Sequence, residues 1–425
     1  MDKVFNVYLT RDAEGINSPG AQIWLPARTY ELRDALQRAR LTEDSALSVS
    51  IDDYGNGLGF LAGAFQRPMD LRTLRGLNAL AEKIAGMEEY ELAAFEGLVQ
   101  IEDGDGSAEI PIPRLYDLAA STHECHCLPE ITNDEQLGHF FVENDFVPEV
   151  ENVPDEAMDS LDYGKIGREK REEHGGVFLE DGNGYVEWDG DAVEAWKDLD
   201  LSPQEPDYTV LLEVGNPDDK NQTAVLKLPA AVGKIHAVLN SLGITDSMDP
   251  SVRCLDCRIP ALVELITDHG RIAGANRIAF RLKKIPPEKV TLCKAILTAL
   301  PCANLGEALS QMDLADQCIL TPELTSPADM GKAELTFMLG EDGAETLLPF
   351  VNLPAYGMEL LKKENTVLTP YGAIDRKDCQ PLRGLEARTA DDGHDGRQNS
   401  TIPQEQAAKP SPDGKQARKS DRRER

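Results

Sequence analysis

His123, Cys125, His126 and Cys127 crowd four soft metal ligands into one short stretch, and Cys254-x-x-Cys257 adds a second thiol pair. Zinc would use such residues as a tetrahedral set of thiolates and imidazoles. Spacing is all that supports the site, and thiols serve equally as small hydrophobes, so neither a metal nor another cofactor is expected. Gly55-x-Gly57-x-Gly59 lacks the last spacing of a dinucleotide-binding loop and reads as a flexible connection. Asp181-Gly-Asn183-Gly184 hints at a calcium loop, but its glycine is misplaced and no Glu closes it, so a tight turn is the better reading. No nucleophile elbow and no paired metal-ligand helix occurs. Carboxylates are so numerous that no one pair is marked as acid and base. No enzyme activity is expected.

The carboxylates themselves are the feature. Leu115–Gly164 holds thirteen of them and neither Lys nor Arg. Ile84–Arg114 adds eight acids against one base, so Ile84–Gly164 carries 20 net negative charges. The 425-residue chain has 43 Lys and Arg against 75 Asp and Glu, a net charge of −32. Residues 1–206 account for −28, residues 207–372 for −6 and residues 373–425 for +2. Such a field repels nucleic acid and anionic membrane and attracts basic surfaces. Acidic segments poor in aromatics usually stay unfolded. Here Leu115, Leu118, Leu128, Ile131, Leu137, Phe140, Phe141, Phe146, Val147 and Leu161 interleave with the acids, so an ordered region is expected. No apolar run approaches the ~20 residues of a membrane helix, and Met1–Arg11 lacks a signal peptide's apolar core. A cytoplasmic protein with reduced thiols is expected.

Periodicity gives the elements that must position these acids. Phe5, Val7 and Leu9 alternate as a half-buried strand does. Asn17–Gly20 reads as a turn and Gln22–Leu25 as a strand stopped by Pro26. Tyr30, Leu32, Leu36 and Ala39 have helical spacing, and Ala46–Asp52 alternates again. Asp70 is placed to cap a helix with Leu71, Leu74, Leu77, Leu80, Ala81 and Ile84 on its apolar face. Glu88–Gln100 continues as a helix with Leu92, Phe95 and Leu98 inward, its first acids also complementing the helix dipole. Leu115–Asp145 is expected to be helical in pieces. Glu169–Glu173 is helical in character and ends at Gly175-Gly176. Val177–Leu179 and Tyr185–Trp188 read as a hairpin.

Three ordered blocks carry a family resemblance: Trp24-Leu25-Pro26; Leu77–Glu82 leading to Tyr90–Glu96; and Asp162-Tyr163 with Gly167-Arg168 and Glu173–Phe178, which includes Gly175, Gly176 and Phe178. In order and spacing residues 3–190 resemble the ArdA antirestriction family. The resemblance implies an elongated α+β chain of three small domains. It also implies a homodimeric DNA mimic that fills the DNA channel of type I restriction–modification enzymes. Family members are about half this length, and residues 207–374 explain the excess as a second copy. Phe5, Val7, Leu9, Leu25-Pro26-Ala27, Leu32 and Leu36 align with Tyr208, Val210, Leu212, Leu228-Pro229-Ala230, Ile235 and Leu239 at one offset of 203. Asn78, Leu92 and Phe95 then match Asn276, Val290 and Cys293, and Gly167 matches Gly357. Cys254 and Cys257 fall opposite Ile51 and Tyr54 at a strand end, which argues against zinc. The apolar pattern persists while the acids do not: Glu88 and Glu89 face Pro286 and Pro287.

The expected fold class is α+β, an elongated tandem array of small α+β domains in two ArdA-like copies. Domains are expected at 1–65, 66–110 and 111–190, then a linker at 191–206, then 207–275, 276–300 and 301–374. A disordered tail is expected at 375–425, ending in the basic cluster Lys415–Arg425. The expected function is inhibition of a type I restriction–modification enzyme by DNA mimicry. The candidate contact residues are Glu88, Glu89, Glu91, Glu96, Asp134, Glu135, Glu143, Asp145, Glu149, Glu151, Asp155, Glu156, Asp159 and Asp162. The alternative is an acidic adaptor or scaffold for a basic protein partner, which would show an exposed apolar patch.

Overall fold

The computed structural model describes residues 2–11, 19–55, 57–104, 109–150, 153–154, 158, 160–179, 182, 184–188, 190–245, 248–269 and 271–382. The turn expected at Asn17–Gly20 lies mostly outside them. Four three-stranded antiparallel sheets, each with attached helices, make a mixed α+β fold.

In the first sheet β1 (Phe5–Arg11) lies between β2 (Gly20–Leu25) and β3 (Leu47–Tyr54). Phe5, Val7 and Leu9 are fully buried, as their alternation requires. Helix α1 (Thr29–Arg38) connects β2 to β3. Helix α2 (Leu71–Ile84) starts at Asp70, whose carboxylate accepts the Thr73 N–H at 2.7 Å. That bond holds the Asp70 carboxyl below the usual carboxylate range. The α2 face and the inward residues of α3 (Glu89–Asp103) and α4 (Ile112–Ala120) join one core with the first sheet.

A short strand follows that periodicity did not disclose. β4 (His126–Leu128) pairs with β6 (Tyr185–Glu187), which also pairs with β5 (Val177–Phe178). Three residues are too few to show an alternation. Helices α5 (Asp134–Glu143) and α6 (Tyr163–His174) cross on two glycines. A Cβ on Gly138 would lie 1.9 Å from the Tyr163 carbonyl oxygen, and one on Gly167 would lie 1.8 Å from that of Asp134. Gly175 then ends α6 in the left-handed region, at φ 66.

A similar succession, with one more helix, follows residue 207. β7 (Val210–Asn216) lies between β8 (Asp219–Leu228) and β9 (Ser251–Cys257), with α7 (Val232–Ser241) connecting the outer strands. Then come α8 (Val263–His269), α9 (Ile272–Lys284), α10 (Pro287–Ala299) and α11 (Leu305–Met312). The last sheet has the order β10 (Cys318–Thr321), β12 (Gly372–Arg376), β11 (Val367–Thr369). Between β10 and β11 run α12 (Pro327–Leu347), kinked at Gly340, and α13 (Leu353–Glu364). Details recur as well. The Asn78 amide brackets Ala27, accepting its N–H at 2.7 Å and donating to its carbonyl at 3.2 Å. Asn276 brackets Ala230 in the same way, at 2.9 Å in both directions. Gly331 and Gly357 make the close crossing of α12 and α13. The Leu25–Pro26 and Leu228–Pro229 peptides are both cis.

Three boundaries differ from the sequence reading. Residues 191–206 are tied to the first half through Trp196, which sits on Gly76 and edge-on to Tyr116, and Asp117 accepts its N–H at 2.7 Å. The 275/276 boundary falls inside α9. The folded unit continues to Leu382, which is 3% exposed, past the tail start expected at 375.

Helix α1 carries a contact invisible in periodicity, because it is polar. Asp34 is buried, and its carboxylate meets the equally buried Lys294 ammonium at 2.7 Å and the Tyr371 hydroxyl at 3.0 Å. Gln37 donates to Thr291 at 2.6 Å and accepts from Lys294 at 2.9 Å. Asp256, 2% exposed, accepts the Tyr30 N–H at 3.1 Å and so caps the start of α1.

Candidate acidic interface

The structure divides the candidate acids by what each side chain does. Asp134 is not a surface charge to be offered to a partner. Arg171 holds it at 2.8 Å and Arg168 at 3.6 Å across the α5–α6 crossing. The Arg171 bond keeps its carboxyl below the ordinary value. Asp162 caps α6 by accepting the Lys165 N–H at 3.0 Å. Glu91 folds back to accept the Glu88 N–H at 3.0 Å. Charge density in a sequence gives the size of a field, not its direction, so these three were counted with the rest.

A second set, Glu88, Glu89 and Glu96, lines one side of a groove of about 710 Å³. Its other walls include Ala93, Cys127, Pro129 and Leu179. Glu96 also accepts from the Gln100 amide at 3.2 Å. The remaining described acids lie on α5 and just beyond it. Glu135, Glu143, Asp145 and Glu149 are exposed, and Glu143 lies 3.8 Å from His139. Glu135, Asp145 and Glu149 form no ion pair with any described residue. Asp145 sits at φ 61 directly after the α5 terminus, which turns the chain away from the helix. Phe146, counted among the core residues, is 55% exposed. The core below this surface is Leu137, Phe141, Val142, Val147 and Tyr185. Glu151, Asp155, Glu156 and Asp159 lie outside the described residues.

The residues on which the family resemblance rests have structural places. Leu25 and Pro26 are buried under β2 and Trp24 is half-buried. Tyr163 stacks on His139 at 3.7 Å. Gly167 makes the helix crossing, and Arg168 pairs with Asp134. Gly175 is the helix stop, and a Cβ on Gly176 would meet the Tyr185 hydroxyl at 2.1 Å. Arg171 lies 5.4 Å over the Phe178 ring.

The soft ligands part company. Cys125 and Cys127 enter the core while His123 and His126 are exposed. Burial pushes the Cys125 and Cys254 thiols up to about 12 and the Cys257 thiol well above its usual value. Burial thus favours the neutral thiol at all three. Among the described residues no group of three His, Cys, Asp or Glu side chains could hold a metal ion. No described helix is long and apolar enough to cross a membrane. No protein-family model matches this chain, and no curated protein matches it.

Proposed function

We propose that this chain is an antirestriction protein of the ArdA kind. In this reading it is built as two tandem ArdA-like copies, and the first occupies the DNA channel of a type I restriction–modification enzyme. One observation carries the reading. A similar succession of sheets and helices, with α8 added, follows the first, yet residues 1–206 hold −28 and residues 207–372 only −6. A scaffold that persists without the acids does not need them for folding, so their density in one half is functional. Duplex DNA presents one charge every ~1.7 Å of axis, and much of a protein's affinity for it is electrostatic. Exposed carboxylates on a folded core compete for the same Lys and Arg groups without any base code. The exposed acids on α5 and just after it, Glu135, Glu143, Asp145 and Glu149, fit that role, and Glu151, Asp155, Glu156 and Asp159 follow them in the sequence. The protein acts by occupation, without catalysis.

The test is binding to a type I methyltransferase core, titrated with salt. Affinity should fall steeply as salt rises, because exposed charges are screened. Reversing Glu135, Glu143, Asp145 and Glu149 to Lys together should abolish measurable binding. Salt-independent binding, or an unchanged fourfold variant, refutes mimicry.

A second reading has its own support. Phe337 is 86% exposed and Phe350 84%, with Met338, Leu339 and Met358 open beside them in sequence on α12 and α13. So much open apolar surface suits an adaptor that grips a protein partner. A partner that binds wild type but not Phe337→Ser/Phe350→Ser, and ignores salt, would favour the adaptor.

A further inference from the structure

Cations gather on one face of α9, in a chain whose net charge is −32. The helix Ile272–Lys284 has four of them and no acid. Ile272, Ala275, Ile278, Ala279 and Leu282 form its buried side. Arg277, Phe280, Arg281 and Lys284 follow the i, i+3, i+4, i+7 spacing of a single face, and all four are exposed. Arg281, Lys283 and Lys284 in the last turn complement the helix dipole. Arg277, two turns before the end, and the uncharged Phe280, 47% exposed, are not explained that way. Arg281 reaches Asp313, but Arg277 and Lys284 form no ion pair with any described residue.

The same face opens on a cleft. Ala273, one turn before Arg277, helps to line a cavity of about 650 Å³ between α7, the start of β9 and the start of α9. Its α7 wall is Val232, Ile235 and Leu239, spaced i, i+3, i+7, and α7 has no buried residue. The corresponding place in the first half holds a longer side chain. Arg75 stands three residues before Asn78, as Ala273 does before Asn276, and it is only 16% exposed, paired with Glu43. Val49, which matches Val252 of the cleft, is buried.

Apolar wall and cation row make two demands on one ligand. Three aliphatic side chains in a cleft take an apolar ridge, which neither the phosphates of a nucleic acid nor a flat membrane surface supplies. A row of Arg and Lys takes carboxylates. We infer that the α7–α9 cleft receives an acidic amphipathic helix of a partner protein. Its apolar ridge lies on Val232, Ile235 and Leu239, and its carboxylates lie along Arg277, Arg281 and Lys284. Asp249 and Asp268 also line the cleft, beside the start of α9, and suit the positive N-terminal end of the entering helix. The inference makes no use of DNA mimicry, and its readout is peptide binding, so either can fail without the other.

Fluorescence anisotropy of the full chain with a labelled helical peptide tests it. The peptide has about five turns, with Leu along one face and Glu elsewhere. At physiological salt the Debye length of ~8 Å screens all but the nearest charges, and a micromolar Kd is expected. A peptide of the same composition with Leu scattered around the helix should not bind, nor should a single-stranded DNA of similar length. Arg277→Glu/Lys284→Glu reverses the row, and Val232→Glu puts a carboxylate on the apolar wall. Each should weaken binding at least about tenfold. All three positions are exposed, so both variants fold, as circular dichroism would check. Equal affinity for the scattered peptide would leave the cleft without a role, and equal affinity for the DNA would make the face a nucleic-acid site. Either result, wild-type affinity in the two variants, or no binding up to about 1 mM would overturn the proposal.

Discussion

Asp34 and Lys294 allow a sharp test of how α1 is held. Their side chains are 7% and 9% exposed, and their charges meet at 2.7 Å. Removing one partner of a buried ion pair typically costs ~3–5 kcal/mol, because the other charge is left without compensation. The two removals are not equivalent. Without Asp34, the Lys294 ammonium keeps only the Gln37 carbonyl oxygen at 2.9 Å and the Tyr371 ring at 5.9 Å. Neither carries charge, so Asp34→Ala should cost the full ~3–5 kcal/mol. Without Lys294, Asp34 keeps Arg38 at 3.1 Å and the Tyr371 hydroxyl at 3.0 Å. Lys294→Met also keeps most of the apolar stem, so it should cost only about 1–2 kcal/mol, one hydrogen bond to a charged group. The double variant Asp34→Leu/Lys294→Met should cost less than the sum, with a coupling of about 2 kcal/mol between residues in contact. Urea unfolding followed by circular dichroism measures all three, provided the slope is unchanged. Asp34→Ala costing under ~1 kcal/mol, or no more than Lys294→Met, would refute the argument.

Three further outcomes are expected. Burial holds the Asp256 carboxyl above the ordinary carboxylate value. Its contribution is complete below the unfolded value and lost as pH rises through the raised one, so Asp256→Asn should gain on wild type as pH rises through the carboxylate range; a flat difference in unfolding free energy across that range counts against it. Gly167→Ala must force α5 and α6 apart and should cost at least ~1–3 kcal/mol, as should Gly357→Ala, whose Cβ would lie 1.6 Å from the Pro327 carbonyl oxygen; thermal unfolding within experimental error of wild type would show the crossing to be adaptable. Ending the chain after Leu382 should leave stability unchanged, whereas ending it after Ile374 removes buried Leu382 and Arg376 and should cost at least ~2 kcal/mol; equal denaturation midpoints for the two truncations would refute this boundary.

What the sequence disclosed and what it hid divide along a physical line. Alternation at Phe5, Val7 and Leu9, the Asp70 cap and the spaced leucines of α2 are local signals, and each became the element it announced. The glycine stop at Gly175 was equally local. Trp196 gave no period because it is an isolated aromatic in a polar stretch, and its seat exists only because Gly76 lacks a side chain. Asp34, Lys294 and Asp256 looked like surface charges, since the partners that make their burial tolerable lie far along the chain. Asp134 and Asp162 were counted as part of the field for the same reason: a carboxylate answering Arg171 and one capping a helix look alike in composition.

The same line explains how the two copies of the proposed repeat can differ in charge at one position. Buried positions on corresponding helices stay apolar: Phe95 and Leu98 on α3, Cys293 and Ile296 on α10. Between them Glu96 stands where Lys294 stands. Nothing in the core opposes such an exchange, because the side chain leaves the core. In residues 207–382 the ammonium meets Asp34, which arrives within the same chain. On α3 the side chain of Glu96 accepts from the Gln100 amide at 3.2 Å, so this position takes a carboxylate in one half and an ammonium in the other while the residues beneath it stay apolar.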